Sequence, residues 1–124
     1  MPIANYSTSI EAIKTVGEIQ GILVGHGAKS ILMNYGQDRT IESLSFVIET
    51  PYGDMPIKLP VDARAVLKVL EKQGVPPRYA NYPQAVRIAW RIVKDWVRAQ
   101  MAILETEMVK MEQVFLPYMI TQLI

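Results

Sequence analysis

The stretch SILMNYGQDRTIESLSFVIETPYGDMPIKLP, residues 30–60, decides the fold, because within it apolar residues recur every second position. Ser30 to Tyr35 reads as a short strand closed by the turn Gly36-Gln37-Asp38-Arg39. Thr40 to Thr50 then alternates, with Leu44, Phe46 and Ile48 on one face and Ser43, Ser45, Val47 and Glu49 on the other. That is the pattern of a strand buried on one side only. Pro51-Tyr52-Gly53-Asp54 is a tight turn, and Met55, Ile57 and Leu59 alternate again before Pro60. Three strands in succession, joined by short turns, predict an antiparallel meander.

On either side of this stretch the period lengthens to that of a helix. Ile10, Ile13, Val16, Ile19 and Leu23 share one helical face. With Ser7 or Ser9 as cap, they predict a helix from about Ser9 to Val24, stopped by Gly25-His26-Gly27. Gly17 and Gly21 lie inside it, each costing about 1 kcal/mol relative to alanine. Either a close approach to the sheet requires them, or the helix is intrinsically weak. After the strands, Asp62 caps a helix over Ala63 to Gln73, with Val66, Leu67 and Leu70 as its apolar side and Gly74 as its stop. The connector GVPPRYANYPQ has neither period, and Pro83 is placed to open a long last helix, Gln84 to Phe115, ended by Pro117. The expected architecture is therefore α+β and two-layered, α-β-β-β-α-α, with helices over one face of a three-stranded antiparallel meander. A chain of 124 residues, half of them apolar, suits a single domain spanning 1–124.

Composition excludes several functions. There is no cysteine, hence no disulfide, thiolate zinc site or cysteine nucleophile. No apolar run approaches the ~20 residues that span a bilayer, and the N-terminus lacks a basic flank before an apolar block. A soluble, non-secreted protein without a membrane partner is expected. His26, the single histidine, has no local carboxylate pair, and a helix-terminal role at the dipole accounts for it. Gly25-His26-Gly27-Ala28-Lys29 lacks the spacing of a phosphate loop, and Asp38 and Asp54 are turn residues. No catalytic residue, metal site or cofactor is expected.

Charge is distributed unevenly although the net is only +1. Residues 58–98 hold nine cations (Lys58, Arg64, Lys68, Lys72, Arg78, Arg87, Arg91, Lys94 and Arg98) against three carboxylates (Asp62, Glu71 and Asp95). Arg64, Lys68 and Lys72 form an i, i+4, i+8 row on the second helix. On a wheel, Arg87, Arg91, Lys94 and Arg98 lie nearly opposite Val86, Ala89, Trp90, Val93, Trp96 and Val97, so the tryptophans belong to the core face. Cations crowd the first half of this helix and Glu105, Glu107 and Glu112 its second half, the reverse of what the macrodipole favours.

Beside a merely solvated polar face, two partners fit such a row. One is a polyanion, nucleic acid above all, bound through Arg64, Lys68, Lys72, Arg78, Arg87, Arg91, Lys94 and Arg98, with Tyr79 and Tyr82 adding stacking. The other is a second copy: an antiparallel dimer centred near Ala99 and Gln100 sets Arg87 against Glu112 and Lys94 against Glu105. The uncharged tail, with Phe115, Leu116, Tyr118, Met119 and Ile120, would supply apolar area to that interface, or fill this chain's own core.

Three segments, IQGILVGHGAKSILMNY (19–35), IESLSFVIETPYGDMPIKLP (41–60) and RIAWRIVKDWVRAQMAILETEMVKMEQVFLPYM (87–119), resemble a widespread family of small tailed-phage and prophage proteins without an assigned function. The resemblance implies the cytoplasm of an infected bacterial host and a replication or recombination setting. Together the residues and the resemblance lead to the expectation of a non-enzymatic accessory protein binding single-stranded DNA. The alternative is a protein-interaction or assembly module forming a homo-oligomer through the last helix and tail.

Overall fold

The computed structural model describes residues 2–51, 53–107 and 110–120, with Met111 and Glu112 as backbone only. Residues 2–11 form an extended strap with one turn, followed by α1 (Ala12–Gly25). The helix begins two residues later than the Ser9 cap would place it: Glu11 stands at the N-cap without a side-chain capping bond. Thr8, a residue before Ser9, instead takes up the Ile10 N–H at 3.2 Å. Val16, Ile19 and Leu23 are buried as their spacing requires, whereas Ile13 faces solvent. At the other end, Ala28 N–H reaches back to the Leu23 carbonyl at 2.9 Å and Gly27 adopts a φ of 97°, which closes the helix in a Schellman turn.

The three strands β1 (Ser30–Tyr35), β2 (Ile41–Thr50) and β3 (Gly53–Lys58) pair in the order β1-β2-β3, all antiparallel. Leu44, Phe46 and Ile48 of β2 are fully enclosed, and Ile31, Met33 and Ile57 share their face. The alternation does not run unbroken to Thr40. A bulge between Asn34↔Ser43 and Tyr35↔Ile41 turns Ile41 into the core, where its carbonyl accepts the Trp90 indole N–H at 3.4 Å. Pro56 sits in β3, which is an edge strand and can tolerate a missing N–H.

The helical layer is completed by α2 (Ala63–Lys72) and α3 (Tyr82–Glu105). Asp62 caps α2 by accepting the Ala65 N–H at 3.1 Å, and Asn81 caps α3 by accepting the Gln84 N–H at 3.0 Å. The fold is α+β, one helix, three antiparallel strands, then helices. One core cluster joins α1, the sheet and α3 around Trp90 and Phe46; a second joins α2 to α3 through Leu70, Val75, Ala85 and Ile88.

The continuous last helix expected from Gln84 to Phe115 is not formed. Instead, α3 ends at Glu105, the Thr106 hydroxyl donates to the Ile103 carbonyl, and Glu107 takes a left-handed φ of 61°. A short helix α4 (Met111–Phe115) and a 3-10 turn (Leu116–Tyr118) then carry the chain back over the core. The left-handed residue costs about 1–2 kcal/mol. The return offsets it: Phe115 is completely buried, edge-on to Phe46 at 5.3 Å and Trp96 at 5.7 Å, and Tyr118 packs on Trp96 at 5.3 Å. Full burial of such a ring contributes about 1.5–3 kcal/mol. Met119 and Ile120 continue along the β3 edge, where Met119 bridges Ile57 and Ile120 N–H donates to the Pro56 carbonyl at 2.8 Å. Residues 121–124 of the uncharged tail lie outside the described residues.

Gly17 and Gly21 are not close-approach positions. Both are exposed, and an added Cβ would meet nothing within 4 Å at either. The weak-helix explanation is the one that fits. Gly17→Ala and Gly21→Ala should each raise unfolding free energy by about 0.5–1 kcal/mol in urea titrations, with no change in the cooperativity of the transition. A loss of stability in either variant would contradict this geometry.

Candidate functional site

Because α3 packs against α2 through Ala85 and Ile88, and against the sheet through Val86, Trp90, Val93 and Val97, its cationic side is left to meet α1. The two helices run the same way, so partners advance together along them. Arg87 Nη1 lies 3.9 Å from Glu11 Oε1, and Arg91 Nη1 donates to Glu18 Oε2 at 3.1 Å and to the Thr15 hydroxyl at 3.4 Å. Lys94 Nζ lies 2.8 Å from the same Glu18 oxygen. The Arg91 and Lys94 side chains are only 14% and 11% exposed. Arg87 also donates from Nε to Gln84 Oε1 at 2.9 Å, and the Gln84 amide is clipped to the N-terminal strap through the carbonyls of Tyr6 and Thr8.

Three of the four cations in the row thus have carboxylate partners within their own chain, a third arrangement beside polyanion and second copy. The residue that organises it, Glu18, was not singled out from the sequence, although Glu11, Thr15 and Glu18 fall on one stripe of α1 at i, i+4 and i+7. Arg98 alone of the row remains exposed and without a carboxylate partner among the described residues. The antiparallel dimer register also loses its basis: it assumed one helix through residue 112, and α3 ends at Glu105. Glu105 lies 3.3 Å from His26 Nε2, and the Glu112 side chain lies outside the described residues. Of the apolar residues assigned to that interface, Phe115 is in the core, Tyr118 and Ile120 are half-buried, and Leu116 and Met119 are exposed.

The row on α2 is placed differently. Arg64, Lys68 and Lys72 are all exposed, as is Arg78 in the connector, and no carboxylate among the described residues lies within ion-pair distance of any of them. Two of the four, Arg78 and Arg64, have aromatic neighbours. The Arg78 guanidinium lies 4.8 Å from the Tyr79 ring and that of Arg64 lies 5.7 Å from the Tyr82 ring. Tyr79 is held from its other side by Tyr6 at 5.6 Å. Asp62, the acid nearest Arg64 in sequence, is engaged as the α2 cap, while Glu71 stands exposed on α2 beside Lys72 without an ion pair to the row among the described residues.

His26 donates from Nδ1 to the Ile22 carbonyl in the last turn of α1 at 2.9 Å, a helix-end contact. Among the described residues no group of three or more acidic or histidine side chains could hold a metal ion, and no helix is long and apolar enough to cross a membrane. The chain matches no known family model, no curated protein and no solved structure.

The hydrogen bond from Lys94 holds the Glu18 carboxyl below its ordinary value, against partial desolvation, and Arg91 adds to the lowering. A carboxyl lowered by folding contributes stability that is fully present above its unfolded value and is lost as pH falls through the folded one. Glu18→Gln should therefore lower the urea midpoint at about pH 7 and differ progressively less from the parent protein as pH falls towards about 3. A gap of constant size across that range would show that the ion cluster does not act through charge.

Proposed function

We propose that this is a non-enzymatic phage accessory protein that binds single-stranded DNA through α2 and the connector after it, in replication or recombination in the cytoplasm of an infected bacterium. The phage setting rests on the sequence resemblance. One observation supports the binding surface. Among the described residues Arg64, Lys68, Lys72 and Arg78 stand exposed without carboxylate partners, while Arg87, Arg91 and Lys94 contact Glu11 and Glu18 within the chain. Cations spaced by one helical turn follow successive phosphates, and release of the counterions condensed on the strand drives association. Arg98 is also exposed and without a carboxylate partner among the described residues.

Fluorescence anisotropy with a labelled oligonucleotide tests the reading. Neutralising about three to four phosphates gives a slope of log K on log salt of about −2 to −3 for a single strand. The triple variant Arg64→Glu, Lys68→Glu and Lys72→Glu should weaken binding at least tenfold while leaving the thermal transition in place, since all three side chains are exposed. Absent or salt-insensitive binding at low ionic strength contradicts the proposal. Substitutions at Arg87 and Arg91 are a poor test, because they break the Glu18 cluster and the strap contact along with the charge.

A second reading, assembly into a homo-oligomer, is supported by Leu116 and Met119, which remain exposed beside the β3 edge. Sedimentation over a hundredfold concentration range checks it. Self-association should be abolished by Leu116→Lys with Met119→Lys, and a monomer at every concentration removes this reading.

A further inference from the structure

The start of α3 and the β1–β2 turn border two adjoining cavities of about 320 and 310 Å³, the first completed by the first turn of α1 and the second by β2, Lys58 and the start of α2, and Tyr82 lines both. Asp38, Thr40, Ile41 and Val86 are also shared, so the two adjoin along these residues as halves of one cleft. The first half is walled by apolar and aromatic surface: Tyr35 and Tyr82 are 54% and 39% exposed, and Ile13 and Pro83 lie beside them. Large apolar side chains converging on one cleft and left open to solvent suit the face of a flat ring. The second half holds Lys58 and Arg64. Arg64 opens the basic row of α2 and its guanidinium stands 5.7 Å from the Tyr82 ring, so the phosphate-binding surface and the aromatic cleft meet at that residue.

The carboxylates around the cleft have their own engagements. Asp62 caps α2, Asp38 accepts the Thr40 N–H at 3.1 Å in the hairpin turn, and Glu11 lies 3.9 Å from Arg87. Glu42 leans over Gly36, where an added Cβ would stand 2.8 Å from its Oε1. Charges of both signs line both halves: Arg39 and Arg87 stand with Glu11 and Asp38 at the aromatic half, and Lys58 and Arg64 with Asp38, Glu42 and Asp62 at the other. Lys58 and Arg64 are exposed and form no ion pair among the described residues, which leaves them open to a phosphate, with an uncharged ring between Tyr35 and Tyr82. Each cavity is at the lower end of the roughly 300–1,000 Å³ of small-molecule sites, which is room for one nucleotide.

We infer that this cleft is a nucleotide subsite of the strand-binding surface: one base of the strand inserts between Tyr35 and Tyr82 while its phosphate is held by Arg64 and Lys58 at the head of the α2 row. The inference rests on the reading of α2 as a strand-binding face, and adds to it a requirement for bases. Cations on a helix bind any polyanion, whereas aromatic rings select strands whose bases are unpaired.

Anisotropy with three probes separates the two claims. A thymidine dodecamer, an abasic dodecamer of equal charge and free thymidine monophosphate as competitor are compared on the full chain. The base-bearing strand should bind about five- to a hundredfold tighter than the abasic one. Tyr82→Ala and Tyr35→Ala should each erase much of that difference without changing abasic affinity, and Tyr82→Phe should keep it. Near-ultraviolet circular dichroism and thermal melts on the same samples establish that the variants are folded. Equal affinity for the two strands, or alanine variants that bind the thymidine strand normally, overturns the subsite while the α2 reading stands. Failure of both strands to bind at low salt overturns both. Thymidine monophosphate binding as tightly as the dodecamer overturns the strand as the ligand in favour of a free nucleotide.

Discussion

Because α3 lies between α1 and α2 and over the sheet, three of its sides are covered, and each must be met by a neighbour of matching chemistry. Val86, Trp90, Val93 and Val97 meet the sheet, and Ala85 and Ile88 meet α2; both are apolar contacts. The third side carries Arg87, Arg91 and Lys94, and α1 answers it with Glu11, Thr15 and Glu18. Desolvating two cations of one row without a counter-charge would be costly. The shared Glu18 oxygen meets that need for Arg91 and Lys94 together. The N-terminal strap is fixed by the same helix, through Gln84 to Tyr6 and Thr8 and through Asp95 to Asn5 at 3.1 Å.

This pairing also settles the electrostatics of the surface. The α3 row runs against the macrodipole, a preference of a few tenths of a kcal/mol per charge at exposed positions. Contact with Glu18 at 2.8 and 3.1 Å in a largely covered groove is the larger effect, so the row follows α1 and not its own helix dipole. With two carboxylates set against these three cations inside the molecule, the exposed row on α2 and the connector, next to Tyr79 and Tyr82, is the one left open. The α2 helix has room for three exposed cations because its apolar side is short, centred on Leu70.

Much of the fold was legible in the sequence. Alternation at Leu44, Phe46 and Ile48, the Asp62 cap and the glycine stops at Gly27 and Gly74 are local signals, and local physics is enough to produce them. The places that escaped are those where a distant partner changes the outcome. The bulge that admits Ile41 to the core is coupled to its carbonyl contact with Trp90, 49 residues away. The break after Glu105 occurs in a segment that reads as helix, because Phe115 gains more between Phe46 and Trp96 than α3 would gain from another two turns in solvent.

For the candidate site the division is sharper. Sequence by itself determined which residues form the two basic rows, that the tryptophans face inward, and that no cysteine chemistry is available, since these depend only on residue type and helical spacing. A helical wheel separates the core side from the rest, but it cannot distinguish solvent from a neighbouring helix. Tertiary structure decided that, by laying α1 along one side of α3 and leaving the outer side of α2 bare. Charges of the same spacing and sign therefore became a structural cluster around Glu18 in one helix and an open surface at Arg64, Lys68 and Lys72 in the other.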